Sequence, residues 1–199
     1  MPHGRHVHAL LARGQQALEE LFPALTADLV ASGVPVGDLL ADSRWYLNGH
    51  RLRQAPSGLV VLCPSRPLLE GAVPARVRAL ANVAFLDSRD LVGLAAAPDG
   101  GRVTGARVLR RAGRAAEEVL DGDLVVDATG RGSRTPIWLE ALGYARSDTE
   151  QVRIGLGYAT RTYRLPADAL GGDLAVVHGG TSAYPRVARC CSWRLAGGC

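Results

Sequence analysis

Apolar positions along this chain recur at two spacings, helical in some segments and alternating in others, and the segments can be read off in order. Residues 9–21 carry Leu10, Leu11, Ala17, Leu18 and Leu21 at roughly helical spacing and stop before Pro23, which disfavours helix in the residue ahead of it. A second helix is expected over 24–32, closed by Gly33. Arg44–Leu47 and His50–Arg53 flank Asn48-Gly49, the strongest two-residue hairpin signal in the sequence. Leu59–Leu62 reads as a buried strand, and Ser65 as the cap of a helix reaching about Leu80, with Pro67 near its first turn and Pro74 expected to kink it. A short strand is expected at 83–86, then a three-stranded meander over 89–96, 103–110 and 116–120. A parallel strand at 123–127, a helix at 135–143 capped by Ser133, and strand-like runs at 151–164 and 173–178 complete the pattern.

The stretch Asp123–Arg134, DLVVDATGRGSR, has the clearest chemical content. Leu124-Val125-Val126 is an apolar strand run ending on Asp127, followed by the small-residue turn Ala128-Thr129-Gly130. Such a unit delivers one carboxylate and one glycine to the carboxyl edge of a strand, where open α/β sheets bind ligands. Glycine lets a backbone approach a ligand closely, and a carboxylate accepts hydrogen bonds from hydroxyls. An unspecialised strand-turn-helix of any α/β domain would look the same.

Three segments, GRHVHALLARG, SRPLLEGAVPARV and LVVDATGRGSRTPIWLEALGY, in this order, resemble the large flavoprotein oxidoreductases related to p-hydroxybenzoate hydroxylase, and the resemblance extends over residues 3–186. It implies an α/β fold: a partial FAD-binding Rossmann-like sheet of the glutathione reductase type, with a β-meander and part of an α+β substrate domain. The implied organisation is a helical segment at 1–43, a substrate-domain hairpin and strand at 44–62, and an FAD-binding portion at 63–145. Within that portion lie the meander (89–120) and the Asp-x-x-Gly strand (123–134). Residues 146–186 would begin the substrate-domain sheet. The residues implied to border the cofactor are Arg5, His6, Arg66, Val83, Asp127, Gly130 and Arg131. Arg66 is implied to contact the flavin, and guanidinium suits that role because it is planar, permanently charged and able to stack or donate twice. No catalytic side chain is implied.

The implied activity is that of a monooxygenase taking electrons from NAD(P)H and hydroxylating or epoxidising a small organic substrate, aromatic or polyketide- or isoprenoid-like, with O2. The alternatives are a flavin-dependent isoprenoid-chain reductase and an inactive product or non-catalytic binding module. A halogenase is disfavoured, because the lysine and paired tryptophans of that branch are missing. So is the GxGxxG turn that normally holds the pyrophosphate of FAD on a helix N-terminus. The chain is therefore expected to be an internal fragment, unable to hold FAD or work alone.

Composition narrows this picture a little. With 199 residues, 47% of them hydrophobic, the chain can bury a sizeable core. All 23 basic residues are arginine and they are scattered, so the net charge of +4 argues for a GC-rich genome and against a nucleic-acid partner. No apolar run reaches membrane-spanning length, and sparse cysteine before the tail fits a reducing cytoplasm. His3, His6 and His8 do not converge on one helical face, so no metal site is expected. Asp121 and Asp123 read as solvated turn residues, and Trp138 as core packing. The last residues change character, with Cys190, Cys191, Trp193 and Cys199 close together. No disulfide is expected among them. With one set of codons that encodes Val187–Cys191, restoring a single base ahead gives Gly-Gly-Ala-Leu-Leu, so residues 187–199 are expected to be a frameshifted tail.

Overall fold

The computed structural model describes residues 6, 8–111, 116–166 and 168–191. The fold is mixed α/β, in two compact units: Met1–Val83 with Leu156–Cys199, and Ala84–Gly155.

The larger unit opens with α1 (Ala12–Leu21) and α2 (Leu25–Ala31). α1 begins three residues later than its apolar spacing suggests, because Leu10 pairs instead with Leu62: each backbone N–H donates to the other's carbonyl, at 2.8 and 3.0 Å. Glu19 caps the start of α2, its carboxylate accepting from the backbone N–H of Ala24 (2.6 Å) and of Thr26 (2.9 Å). Gly33 ends it in a left-handed conformation, as expected. Leu25, Leu29, Val34 and Leu62 form the core here. Leu68, Leu69, Ala72 and Val73 of α3 (Arg66–Arg78) pack against it on one helical stripe. Ser65 is the cap of α3, its Oγ accepting from the Leu68 N–H at 3.3 Å. The helix continues past Pro74 to Arg78; the ring nitrogen has no hydrogen to give the Glu70 carbonyl, and the turn is nonetheless held.

Two sheets complete this unit. β1 (Val36–Asp38) and β4 (Val60–Leu62) pair antiparallel, Val36 opposite Leu62. The second sheet runs β3-β2-β8-β9, from His50–Arg51, Ser43–Leu47, Ala175–His178 and Ala188–Cys191. Asn48 (φ 50°) and Gly49 (φ 81°) make the hairpin between β2 and β3, both in the left-handed region that this pair favours. β2 and β8 are parallel, Ser43 opposite Ala175, and β9 returns antiparallel on β8. Ala188–Cys191, the first part of the expected aberrant tail, is thus an edge strand.

The smaller unit is the meander β5 (Arg89–Ala96), β6 (Val103–Arg110) and β7 (Glu117–Asp121), at nearly the expected bounds. It also holds a 3-10 turn (Gly130–Gly132) and α4 (Thr135–Ala141), which lies along β5. The Tyr144 hydroxyl donates to the Gly100 carbonyl at 2.7 Å, fastening the segment after α4 to the β5–β6 turn.

Three expected strands are not formed. Residues 83–86, 123–127 and 151–164 lie outside every sheet, although the first two are apolar runs and the third alternates as a strand does. A strand exists only through a neighbour's hydrogen bonds, and no described residue pairs with these segments. Leu124 and Val126 are accordingly 80% and 77% exposed.

Among the described residues no helix is long and apolar enough to cross a membrane. No group of three or more histidines, cysteines or carboxylates stands close enough to hold a metal ion among them either.

Candidate functional site

The Asp127 turn is the most highly organised polar cluster in the smaller unit. Asp127 Oδ1 accepts from the Thr129 N–H (2.8 Å) and hydroxyl (2.6 Å), and Oδ2 from the Ser133 and Thr135 hydroxyls (2.5 Å each). A carboxylate offers about four lone-pair sites, so this one is saturated from within the chain. The spacing explains it. An aspartate folds readily onto the N–H two residues on, and hydroxyls placed early in a following helix point back to the turn. Ser133 also accepts from the Thr135 N–H at 3.2 Å, so it caps α4 from one position further back than the residue at the cap, Arg134.

The hydrogen bonds from Ser133, Thr129 and Thr135 hold the Asp127 carboxyl well below the usual carboxylate range. A depressed folded-state pKa means that the cluster's stabilisation is complete above the unfolded value and is lost as pH falls through the folded one. The Thr129 amide, corrected for its intrinsic rate, is expected to keep its protection from hydrogen exchange at neutral pH and to begin losing it below about pH 4. Asp127→Ala should speed its exchange at neutral pH by at least roughly tenfold. Unchanged exchange in that variant would show that the turn is held by something else.

Gly130 follows at φ 70°, and a Cβ built there meets nothing within 4 Å. Its backbone therefore faces open space and can be approached closely. Arg131 is exposed on the same turn. Asp127, Gly130 and Arg131 thus share one turn that carries a buttressed carboxylate, an accessible glycine backbone and an exposed arginine. An open polar depression of about 430 Å3 elsewhere in this unit is lined by Arg102, Thr104, Asp121, Gly122 and Asp123.

The other candidate residues belong to the larger unit, except Arg5, which lies outside the described residues. His6 Nδ1 is 2.9 Å from the Thr160 hydroxyl. Arg66 begins α3 and pairs through Nε with Glu70, one turn on. Val83 follows α3, its N–H donating to the Leu80 carbonyl at 3.2 Å, in a turn and not in the strand expected there.

The sequence reading missed two polar networks. Asp38 gathers five donors: the N–H groups of Leu40, Ala41, Ser57 and Gly58, and the Ser57 hydroxyl. Arg44 binds Asp173 and the Leu170 carbonyl, while Gln54 bridges Asp173 to the Ala41 carbonyl. Burial works to raise the Asp173 pKa, but the Gln54 and Arg44 hydrogen bonds outweigh it and the net shift is downward. Tyr46 stacks on His178, ring centroids 4.2 Å apart, across the parallel β2–β8 pair. Only the aspartate-to-turn spacing of Asp38 could have been read from sequence, since the Arg44–Asp173 contact joins distant segments.

No family model matches the chain. It is similar to Protein Rv3254 of Mycobacterium tuberculosis (strain ATCC 25618 / H37Rv), with 39% identity over 199 aligned positions that cover 90% of this chain. The match takes in 39% of that relative, so the chain spans about two fifths of the length of the curated protein it resembles.

Proposed function

We propose that this chain is part of an FAD-dependent oxidoreductase, a monooxygenase that uses NAD(P)H and O2 on a small organic substrate. The observation that carries the reading is an ordered series. A Ser65-capped helix begins with Arg66, a three-stranded antiparallel meander follows, and the chain then enters the Asp127–Gly130 turn and a helix. That is the order in which flavoproteins of the p-hydroxybenzoate hydroxylase type use the corresponding segments.

The residues fit the cofactor in a specific division of labour. Gly130 offers an open backbone, and Arg131 a guanidinium group, to a ligand rich in phosphate and carbonyl oxygens. Asp127 has no lone pair to spare for a ribose or ribityl hydroxyl, so its part is to hold the Gly130 turn in shape. Bound FAD would supply hydride acceptance and oxygen activation, and the chain would bind, orient and exclude water. In a Rossmann-like sheet, Leu124 and Val126 would gain the strand neighbour and the cover that their apolar run calls for.

The protein carrying this chain with its flanking sequence is expected to purify yellow, with FAD bound and bleached by NAD(P)H. Asp127→Ala should release FAD more easily without removing the hydride step. A colourless preparation that leaves added FAD free would overturn the proposal.

A further inference from the structure

Cys63 follows β4 and is 2% exposed, packed with Val61 and Leu174. Cys191 ends β9 opposite Ala175, the residue after Leu174, and Leu174 packs against Cys63. On a strand, side chains two apart share a face, so Arg189 lies on the same side as Cys191. Its guanidinium nitrogen is 4.0 Å from Cys63 Sγ. Cys190, between them, is exposed and faces the other way. Two sulfurs and one cation therefore converge from segments far apart in sequence. We propose that Cys63 and Cys191 are a redox-active dithiol, which hydrogen peroxide converts to a disulfide that fastens edge strand β9 to the start of α3.

A thiol in apolar surroundings is ordinarily inert, because burial disfavours the thiolate that reacts. Here the neighbouring Cys191 thiol outweighs burial, Arg189 adds its charge, and the Cys63 pKa moves down. Cys191 moves up, through the nearby Cys63 and its own burial. The roles divide accordingly, Cys63 as the attacking sulfur and Cys191 as the resolving one.

In the first step the Cys63 thiolate attacks one peroxide oxygen. An S–O bond forms, the O–O bond breaks, and the departing hydroxide takes up a proton to become water. In the second step the Cys191 sulfur attacks the sulfenic sulfur of Cys63. The S–S bond forms, the S–O bond breaks, and hydroxide leaves with the Cys191 proton as a second water. Two thiols and one hydrogen peroxide thus give one disulfide and two waters; the sulfurs lose two electrons and the peroxide gains them. Cys63 lies just ahead of the Ser65 cap and Arg66, so the bond would tie the sheet edge to the arginine-bearing helix.

The test is peptide mapping of the chain after hydrogen peroxide, with free thiols alkylated under denaturing conditions. Trypsin places Cys63 on Gln54–Arg76, since the bond before Pro67 resists cleavage, and both Cys190 and Cys191 on Cys190–Arg194. A cross-link between these peptides within one chain, removed by reductant, is expected. It should survive Cys190→Ser and vanish in Cys191→Ser. Arg189→Gln should slow its formation roughly tenfold by raising the Cys63 pKa. Wild-type protein whose Cys63 remains fully alkylated after peroxide overturns the proposal whatever the variants do. A cross-link lost in Cys190→Ser, or kept in Cys191→Ser, overturns it equally.

Discussion

Leu62→Ala is expected to cost the larger unit about 3 kcal/mol, measured by denaturant unfolding with the slope unchanged. Leu62 has no exposed surface and joins three structures at once. Its backbone pairs with Leu10 on one side and Val36 on the other, while its side chain fills the space between α2 and α3 with Leu25, Leu29 and Val34. Truncation would leave a cavity whose walls are anchored by those backbone pairs and so cannot collapse. Leu62→Met, which conserves volume, should lose less than about 1.5 kcal/mol. An alanine variant within about 1 kcal/mol of wild type would mean that this core is loosely packed.

Gly105→Ala is expected to cost the smaller unit about 2–3 kcal/mol, as overpacking against rigid neighbours does. A Cβ at this position would stand 2.4 Å from the Leu120 carbonyl oxygen and 3.1 Å from the Asp121 Cα. Both are backbone atoms of β7, which cannot rotate aside as a side chain could. Relief requires β7 to separate from β6, so amide exchange over Glu117–Asp121 should rise more than over β5. Gly71→Ala, inside α3 with open space at its Cβ, supplies the contrast: it should be neutral or stabilising by up to about 1 kcal/mol. Equal effects at the two glycines would refute the steric account.

What the sequence made legible was local. The Asn48-Gly49 hairpin, the Ser65 cap, the Gly33 stop and the meander rest on residues that choose a conformation from within a few positions. The apolar runs at 83–86 and 123–127 and the alternation at 151–164 read just as clearly as strands and form none. Alternation reports which side chains want burial, and pairing needs a neighbour that no local pattern reveals. The candidate site divides in the same way. The Asp127-to-Gly130 turn was visible as a turn, but its saturation by Thr129, Ser133 and Thr135 was not, since the hydroxyls could as well have faced water. The thiol pair was hidden twice over, by the distance in sequence between Cys63 and Cys191 and by a tail expected to be frameshifted.

The parallel β2–β8 pairing has a consequence for the birth of the protein. Ser43 meets Ala175, and the whole smaller unit is encoded between them. As the chain leaves the ribosome, the meander finds its partners within a few dozen residues and can close early. β2 must wait, with Trp45 and Leu47 unshielded on one side, until β8 has been synthesised. The larger unit is therefore the late-maturing one, and the interval before β8 arrives is when a chaperone has most to offer this chain.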